Sequence, residues 1–308
     1  MLAIFLKTLP FFAVIGLGYF AGRTRFFPAE ATAWLTKFVF YFALSAMLFR
    51  FTATLDLGAL FDANFIAAYL TGTLALWVIT FGAAKMRGEP AVQSAMEAHT
   101  GITGNTGFLG VPMLVALLGE RAIGPVLMVL TLDLIVFSSL VTVIITGARH
   151  GKISFSMVKA LGLGLLKNPM IVWMAIGLAW AAFKIPMPAP VLEFSTLLGA
   201  AATPGALFAI GASLADKSAE RLGPAVWLSF AKLALHPALI IVALMIFPVD
   251  PYAAGCMIAA ASLPVAGNVY ILAQHYGIAP SRVSASILIS TALSIATVPP
   301  VIAWVLGH

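Results

Sequence analysis

The chain has 308 residues, of which 62% are hydrophobic and only 9% are charged, whereas about a quarter of a typical soluble domain is charged. The 17 Lys and Arg and 11 Asp and Glu residues are too few to solvate a soluble surface of this size, which excludes a soluble enzyme, a disordered chain and a nucleic-acid-binding protein. The composition therefore predicts an all-α polytopic membrane protein, and the net charge of +6 has to be interpreted through its topology.

Apolar runs that are long enough to cross a bilayer recur along the chain, since one crossing needs about 20 residues. Clusters of charged and turn-forming residues separate them, for example at 149–152 and 216–221. The first run resembles a signal peptide, but no cleavage site of small residues follows it, so we interpret it as a span. The sequence predicts ten transmembrane helices, at 3–22, 30–50, 61–83, 92–118, 121–147, 168–184, 189–214, 222–247, 252–275 and 283–306.

Lys and Arg residues are distributed unevenly between alternate loops. The loops on one side carry eleven of them and the loops on the other side four, while Lys37 and Lys232 fall inside predicted spans. Because positively charged loops tend to stay in the cytoplasm, both termini are predicted to lie on the non-cytoplasmic side.

Weak sequence similarities recur at an offset of 158 or 159 positions, which is about half the chain. Pro10 corresponds in this way to Pro169, and Gly119 corresponds to Gly277. The offset predicts two five-helix repeats, at 1–155 and 156–308. Since five is an odd number, the second repeat enters the membrane inverted, which is a recurrent plan of secondary transporters.

The fourth span of each predicted repeat contains residues that interrupt a helix. Proline removes a backbone donor and glycine weakens a helix, so spans four and nine are predicted to be broken. Unwound backbone has to line a wet cavity or be covered by protein. Helix N-termini exposed there suit a carboxylate, and the carbonyls at the opposite ends suit a cation. The candidate substrate-binding residues are Asn105, Thr106, Gly107, Pro112, Pro264, Gly267 and Asn268. Close helix packing is the alternative interpretation of either segment taken alone.

The segment Gly-Asn-Thr-Gly-Phe-Leu-Gly-Val-Pro, ending at Pro112, and the segment Leu-Pro-Val-Ala-Gly-Asn-Val-Tyr, ending at Tyr270, resemble the two crossover segments of the auxin efflux carrier family. The resemblance covers the whole chain, although Ser45 stands where the family pattern leads us to expect a proline. The family includes plant PIN transporters and bacterial permeases, some of them assigned to malonate and other small carboxylates.

The resemblance implies ten helices in two inverted repeats, with crossed broken helices four and nine, as in bile-acid symporters and sodium/proton antiporters. It also implies a homodimer in the bacterial inner membrane. Helices 1, 2, 6 and 7 would form a scaffold, against which helices 3–5 and 8–10 would move as an elevator.

Ionisable residues inside predicted spans are costly and are therefore candidates for function. Asp133, on the fifth span, is a candidate to carry a coupling proton or to help bind Na⁺, and a fixed ion pair with Lys232 or Lys37 is the alternative. Lys232 and His236 share one face of the eighth span. Lys232 is expected to neutralise a carboxylate, replace a cation or contact the substrate. His236 is interpreted as a packed neutral imidazole rather than a proton relay.

No nucleotide-binding, metalloprotease or serine-hydrolase motif occurs in the chain, which argues against a primary pump and against an enzyme. Glu97 and His99 are interpreted as ordinary charges at the cytoplasmic mouth. We therefore predict a secondary active transporter of a small organic anion, a carboxylate, with elevator-type alternating access. It is expected to need no cofactor, apart from H⁺ or Na⁺ as a coupling ion. A channel or a non-transporting sensor built on a transporter fold is the alternative.

Overall fold

The computed structural model describes residues 2–55, 62–150, 155–215 and 222–307. These residues form helices and short connections, with one isolated β-bridge. Seven of the described helices are long and apolar enough to cross a bilayer, which confirms the prediction of an all-α polytopic membrane protein. In chain order the helices are α1 (Leu2–Arg23), α2 (Ala29–Ala53), α3 (Ala63–Met86), α4 (Ala91–Ile102), α5 (Thr106–Leu118), α6 (Glu120–Ala148), α7 (Phe155–Lys167), α8 (Pro169–Ala182), α9 (Ala189–Ala215), α10 (Leu222–Leu244), α11 (Pro251–Ala261), α12 (Gly267–Tyr276) and α13 (Pro280–Leu306).

Three of the ten predicted spans differ from a single long helix. The span predicted at 92–118 consists of α4 and α5, and the span predicted at 252–275 consists of α11 and α12. The span predicted at 168–184 is the 14-residue α8, and it follows α7, which lies in a segment that we expected to be a loop. Asn168 separates α7 from α8, because its side chain caps the first turn of α8. Pro169 follows at the first helical position, where proline is favoured.

Four of the described helices contain a π-helical turn, in which the backbone makes one wider turn than in an α-helix. The turns are Val39–Ala43 in α2, Thr106–Gly110 in α5, Asp133–Phe137 in α6 and Ala231–Leu235 in α10. Serine hydroxyls close two of them: Ser45 Oγ donates to the carbonyl oxygen of Phe40 and Ser138 Oγ to that of Asp133, both at 3.1 Å. Such turns are frequent at functional sites, and three of these four contain a candidate site residue.

One group of helices is built on very close backbone contacts. The helix α1 packs along α9, and α8 packs along α2. A Cβ atom added at Gly18 would overlap the carbonyl oxygen of Phe208, and one added at Gly211 would overlap that of Ile15. Gly177 on α8 lies equally close to α2. Small residues therefore determine how these four helices fit together.

A second group surrounds the two interruptions. In this group α3 packs against α4 and α10, α10 against α13, and α11 against α6. Its core contains Tyr69, Phe137 and Lys232 among the largest fully buried side chains. The two groups meet where α1 contacts α13 and where α9 contacts the first turn of α5. The interruptions therefore lie close to the boundary between the groups.

Candidate functional site

The two interruptions lie against each other at the centre of the second group. Gly104 pairs with Val265 in an isolated antiparallel β-bridge. Unwound backbone inside a membrane needs hydrogen-bond partners, and each interruption provides such partners for backbone groups of the other. Two backbone hydrogen bonds flank the bridge, from Asn105 N–H to the Pro264 oxygen at 2.8 Å and from Ala266 N–H to the Thr103 oxygen at 3.1 Å.

The helix α13 supports this bridge from the side. The N–H group of Val265 donates to Ser290 Oγ at 3.1 Å, and Ser290 is fully buried. Ser290 was not among the predicted site residues, because a single serine on an apolar helix has no distinguishing spacing.

The half-helices α5 and α12 both begin at the crossing, and neither has a side chain that caps its first turn. Asp62, Asn168 and Asp250 cap the first turns of α3, α8 and α11, whereas α2, α4, α9 and α13 begin without a side-chain cap, as α5 and α12 do. The first N–H groups of an uncapped helix have no partner within the helix, and its N-terminus carries partial positive charge. Two such N-termini therefore meet at the crossing, which suits an anion.

A cavity of about 70 Å³ adjoins the crossing. It is lined by Asn105, Gly107, Asp133 and Asn268 among the candidate residues, and also by side chains from α2 and α8. One water needs roughly 10–15 Å³ by this measure, so the cavity has room for several waters or a small ligand. Asn268 Oδ1, Thr106 Oγ1 and Asp133 Oδ2 are buried without a hydrogen-bond partner among the described residues. A ligand or water that formed hydrogen bonds with these groups would remove the energetic cost of leaving them buried and unpaired.

The other candidate residues of the crossover set the course of the backbone. Pro112 is buried directly after the π-helical turn of α5, and the carbonyl of Pro264 accepts a hydrogen bond across the crossing. Gly267 is exposed at the first position of α12, and a Cβ atom added there would meet no atom within 4 Å. These three residues shape the site without lining the cavity.

Asp133 is almost completely buried, with 3% of its surface exposed, and it opens the π-helical turn of α6. Its Oδ1 accepts a hydrogen bond from the hydroxyl of Tyr69 at 2.6 Å. No ion pair within 4.0 Å involves Asp133 in the part of the chain that the structure describes. The alternative of a fixed ion pair with Lys232 or Lys37 is therefore not formed.

Lys232 is fully buried, and its Nζ donates to the carbonyl oxygen of Ala261, the last residue of α11. The same Nζ lies 3.0 Å from His236 Nδ1, and His236 Nε2 lies 3.0 Å from Thr73 Oγ1. An ammonium group can only donate, so Nδ1 accepts and the imidazole proton lies on Nε2, as in a neutral histidine. The positive charge of Lys232 thus lies at the carbonyl end of the half-helix α11, where the sequence predicted that a cation would bind.

Lys37 lies away from this cluster. Its side chain is exposed, and Nζ lies 4.2 Å from the centre of the Trp34 ring. The expectation that Lys37 balances the charge of Asp133 is therefore corrected: position inside a predicted span did not reveal that this face of α2 points outward.

The expectation for Glu97 and His99 is also corrected, because only 1% and 2% of their surfaces are exposed. Glu97 forms ion pairs with both Arg87 and Arg282, and Arg282 also pairs with Glu89 at 3.0 Å. The pair between Glu97 and Arg282 is buried, and it connects α4 with the beginning of α13. Glu97 was interpreted as an ordinary charge because it lies at the end of a predicted span. In the structure its charge is compensated by those of Arg87 and Arg282.

Crossed half-helices around a small polar cavity, in a helical membrane protein, are typical of secondary transporters. A family model described as membrane transport protein matches residues 3–302. The chain therefore belongs to this family, that of the auxin efflux carriers, which confirms the resemblance seen in the two interruption segments. The chain is also 33% identical over 295 residues to a protein of Rhizobium meliloti (strain 1021) named "Putative malonate transporter"; the alignment covers 94% of this chain and 92% of that protein.

Proposed function

We propose that this membrane transport protein is a secondary carrier of a small carboxylate, and that the carboxylate binds at the crossing. The observation that carries the proposal is the meeting of two uncapped half-helix N-termini beside a cavity lined by Asn105 and Asn268. Two partial positive charges and two carboxamides provide donors for a carboxylate. The relative named after malonate supports this substrate class.

Asp133 and Lys232 supply the charge balance and the coupling in this proposal. Asp133 presents an unbonded oxygen to the cavity, whereas Lys232 holds the carbonyl end of α11 without touching Asp133. An anion next to an ionised carboxylate is repelled, so substrate binding favours the protonated form of Asp133. We propose that the coupling ion is a proton.

We further propose the architecture of ten spans in two inverted repeats, with alternating access of the elevator type. Gly119 and Gly277, at the predicted offset, both follow the second half-helix of a crossing, and both have positive φ angles, of 95° and 65°. The close packing among α1, α2, α8 and α9 supports a rigid scaffold. The uneven Lys and Arg distribution supports non-cytoplasmic termini, and the scaffold is the proposed dimer interface.

The test is uptake of radiolabelled malonate into proteoliposomes. Asn105→Ala and Asn268→Ala are each expected to abolish uptake, because each removes a carboxamide from the cavity. Both variants should remain monodisperse and keep the wild-type unfolding temperature without ligand. Asn64→Ala is the matched control, because Asn64 is exposed at the start of α3.

Normal uptake by both cavity variants would refute the site assignment. Malonate, malate, succinate, lactate and indole-3-acetate should also be compared for thermal stabilisation, which reaches about 2.7 kcal/mol for a ligand at 100 times its dissociation constant. Stabilisation without counterflow would point to a sensor, and unsaturable flux would point to a channel.

A further inference from the structure

We propose that Asn168, which caps the scaffold helix α8, is a specificity-determining residue that recognises a second carboxylate of the substrate. This inference rests on the proposed function, and it narrows the substrate class from carboxylates to short dicarboxylates. Asn168 lines the cavity beside the crossing, although it belongs to a different group of helices.

The N-cap geometry fixes the orientation of the Asn168 carboxamide. Its Oδ1 accepts a hydrogen bond from the N–H group of Met170 at 3.0 Å, and its backbone oxygen accepts from Val172 N–H at 3.0 Å. Since Oδ1 is held by the helix, the Nδ2 group is the part that remains for other partners. Within the described chain Nδ2 makes no hydrogen bond, so it is available as a donor in the half-buried wall of the cavity.

A second, independent observation indicates a ligand in the same cavity. Asp133 lines it, is 3% exposed, and has Oδ2 buried without a partner among the described residues. A ligand carboxylate beside Oδ2 is stable when one proton is shared between the two groups. The groups that face Asp133 are the Tyr69 hydroxyl from α3 and, through space, Lys232 from α10. Neither donates to Oδ2.

The cavity therefore offers two places for carboxylates at a short distance. The first is the crossing, with the N-termini of α5 and α12. The second consists of Asn168 Nδ2 and the protonated carboxyl group of Asp133. A cavity of about 70 Å³ favours a ligand whose carboxylates are separated by very few carbons. Such a ligand would contact the scaffold and the crossing simultaneously.

The test compares malonate with monomethyl malonate, which keeps one carboxylate and replaces the other with an uncharged ester. Dissociation constants are measured by calorimetry on the purified full-length protein. Asn168→Ser keeps an N-cap acceptor but is too short to donate into the cavity. It is expected to weaken malonate binding about tenfold, which corresponds to roughly 1.4 kcal/mol, and to change monomethyl malonate binding by less than about threefold.

Asp250→Ser is the matched control, because Asp250 caps α11 at an exposed position and does not line the cavity. It should leave both dissociation constants unchanged. An equal loss of affinity for both ligands in Asn168→Ser, or no loss of affinity for malonate, would overturn the role of Asn168. The proposed function is tested separately by Asn105→Ala and Asn268→Ala. Failure of the wild-type protein to bind either ligand would overturn both.

Discussion

The carboxyl group of Asp133 has one oxygen bonded to Tyr69 and one oxygen free in the cavity wall. If an anion binds beside it, raising the pH removes the shared proton and restores repulsion. The wild-type affinity for malonate is therefore expected to fall as pH rises. Asp133→Asn should keep an acceptor for Tyr69 and a permanent donor for the ligand, so its affinity should change much less with pH.

The measurement is a calorimetric malonate titration of both proteins at mildly acidic and mildly alkaline pH. The titration of malonate itself is common to the two proteins and cancels in the comparison. Equal pH dependence of the wild type and of Asp133→Asn would show that Asp133 does not hold the coupling proton.

Part of the site could be predicted from the sequence, because polar and charged residues are unusual within apolar segments. Asn105, Asn268 and Asp133 stand out in apolar segments, and all three line the cavity. Tyr69 and Asn168 were missed, because a tyrosine in a span and an asparagine at its end are ordinary in sequence. Their importance comes from the partners that the fold brings near, and spacing along the chain does not contain that information.

At the level of elements, the crossing depends on a hydrogen bond from α13. Ser290→Ala would leave the buried N–H group of Val265 without its partner, at a cost of about 1–3 kcal/mol. We expect a lower unfolding temperature and reduced malonate uptake. Ser294→Ala is the control, because Ser294 is equally buried on α13 but its Oγ bonds only to the carbonyl of Thr291.

The outcome that contradicts this prediction is equal stability and uptake of the two serine variants, which would mean that another group satisfies Val265. Circular dichroism on heating and proteoliposome uptake together distinguish the two cases.

The breaks between α4 and α5 and between α11 and α12 fall where glycine and proline predicted them, because these residues act locally on the helix. The helix α7 was not predicted, since its segment lies between the spans predicted at 121–147 and 168–184. The π-helical turns also have no residue signature of their own. They depend on side chains such as Ser138, which bonds back five positions to Asp133.

At the level of the whole molecule, α1 and α9 meet with almost no space between their backbones. Gly18→Ala would place a methyl group on the carbonyl oxygen of Phe208, and overpacking of this kind costs about 1–3 kcal/mol. Gly16→Ala lies on the same helix, where an added Cβ would meet no atom within 4 Å. It should be neutral or stabilising by up to about 1 kcal/mol, because alanine favours the helix more than glycine does.

Unfolding temperatures of the two purified variants test this pair directly. Equal effects of Gly16→Ala and Gly18→Ala would mean that α1 and α9 do not pack as described. The sequence contains a Gly18-x-x-x-Gly22 pattern, which is typical of helix packing, but the pattern does not indicate that α9 is the partner. Apolar faces of membrane helices resemble one another, and the pairing follows from small residues on both helices at matching heights.

The β-bridge between Gly104 and Val265 joins positions that are 161 residues apart in the chain. Ribosomes add about 5–20 residues each second, so the first interruption is synthesised roughly 8–32 seconds before its partner exists. During that interval the backbone groups of Thr103 and Asn105 have to be hydrated or held by the insertion machinery, because lipid cannot satisfy them. The last helices to be made therefore complete the first half of the chain, and release of a shortened nascent chain would leave a polar break exposed to the bilayer.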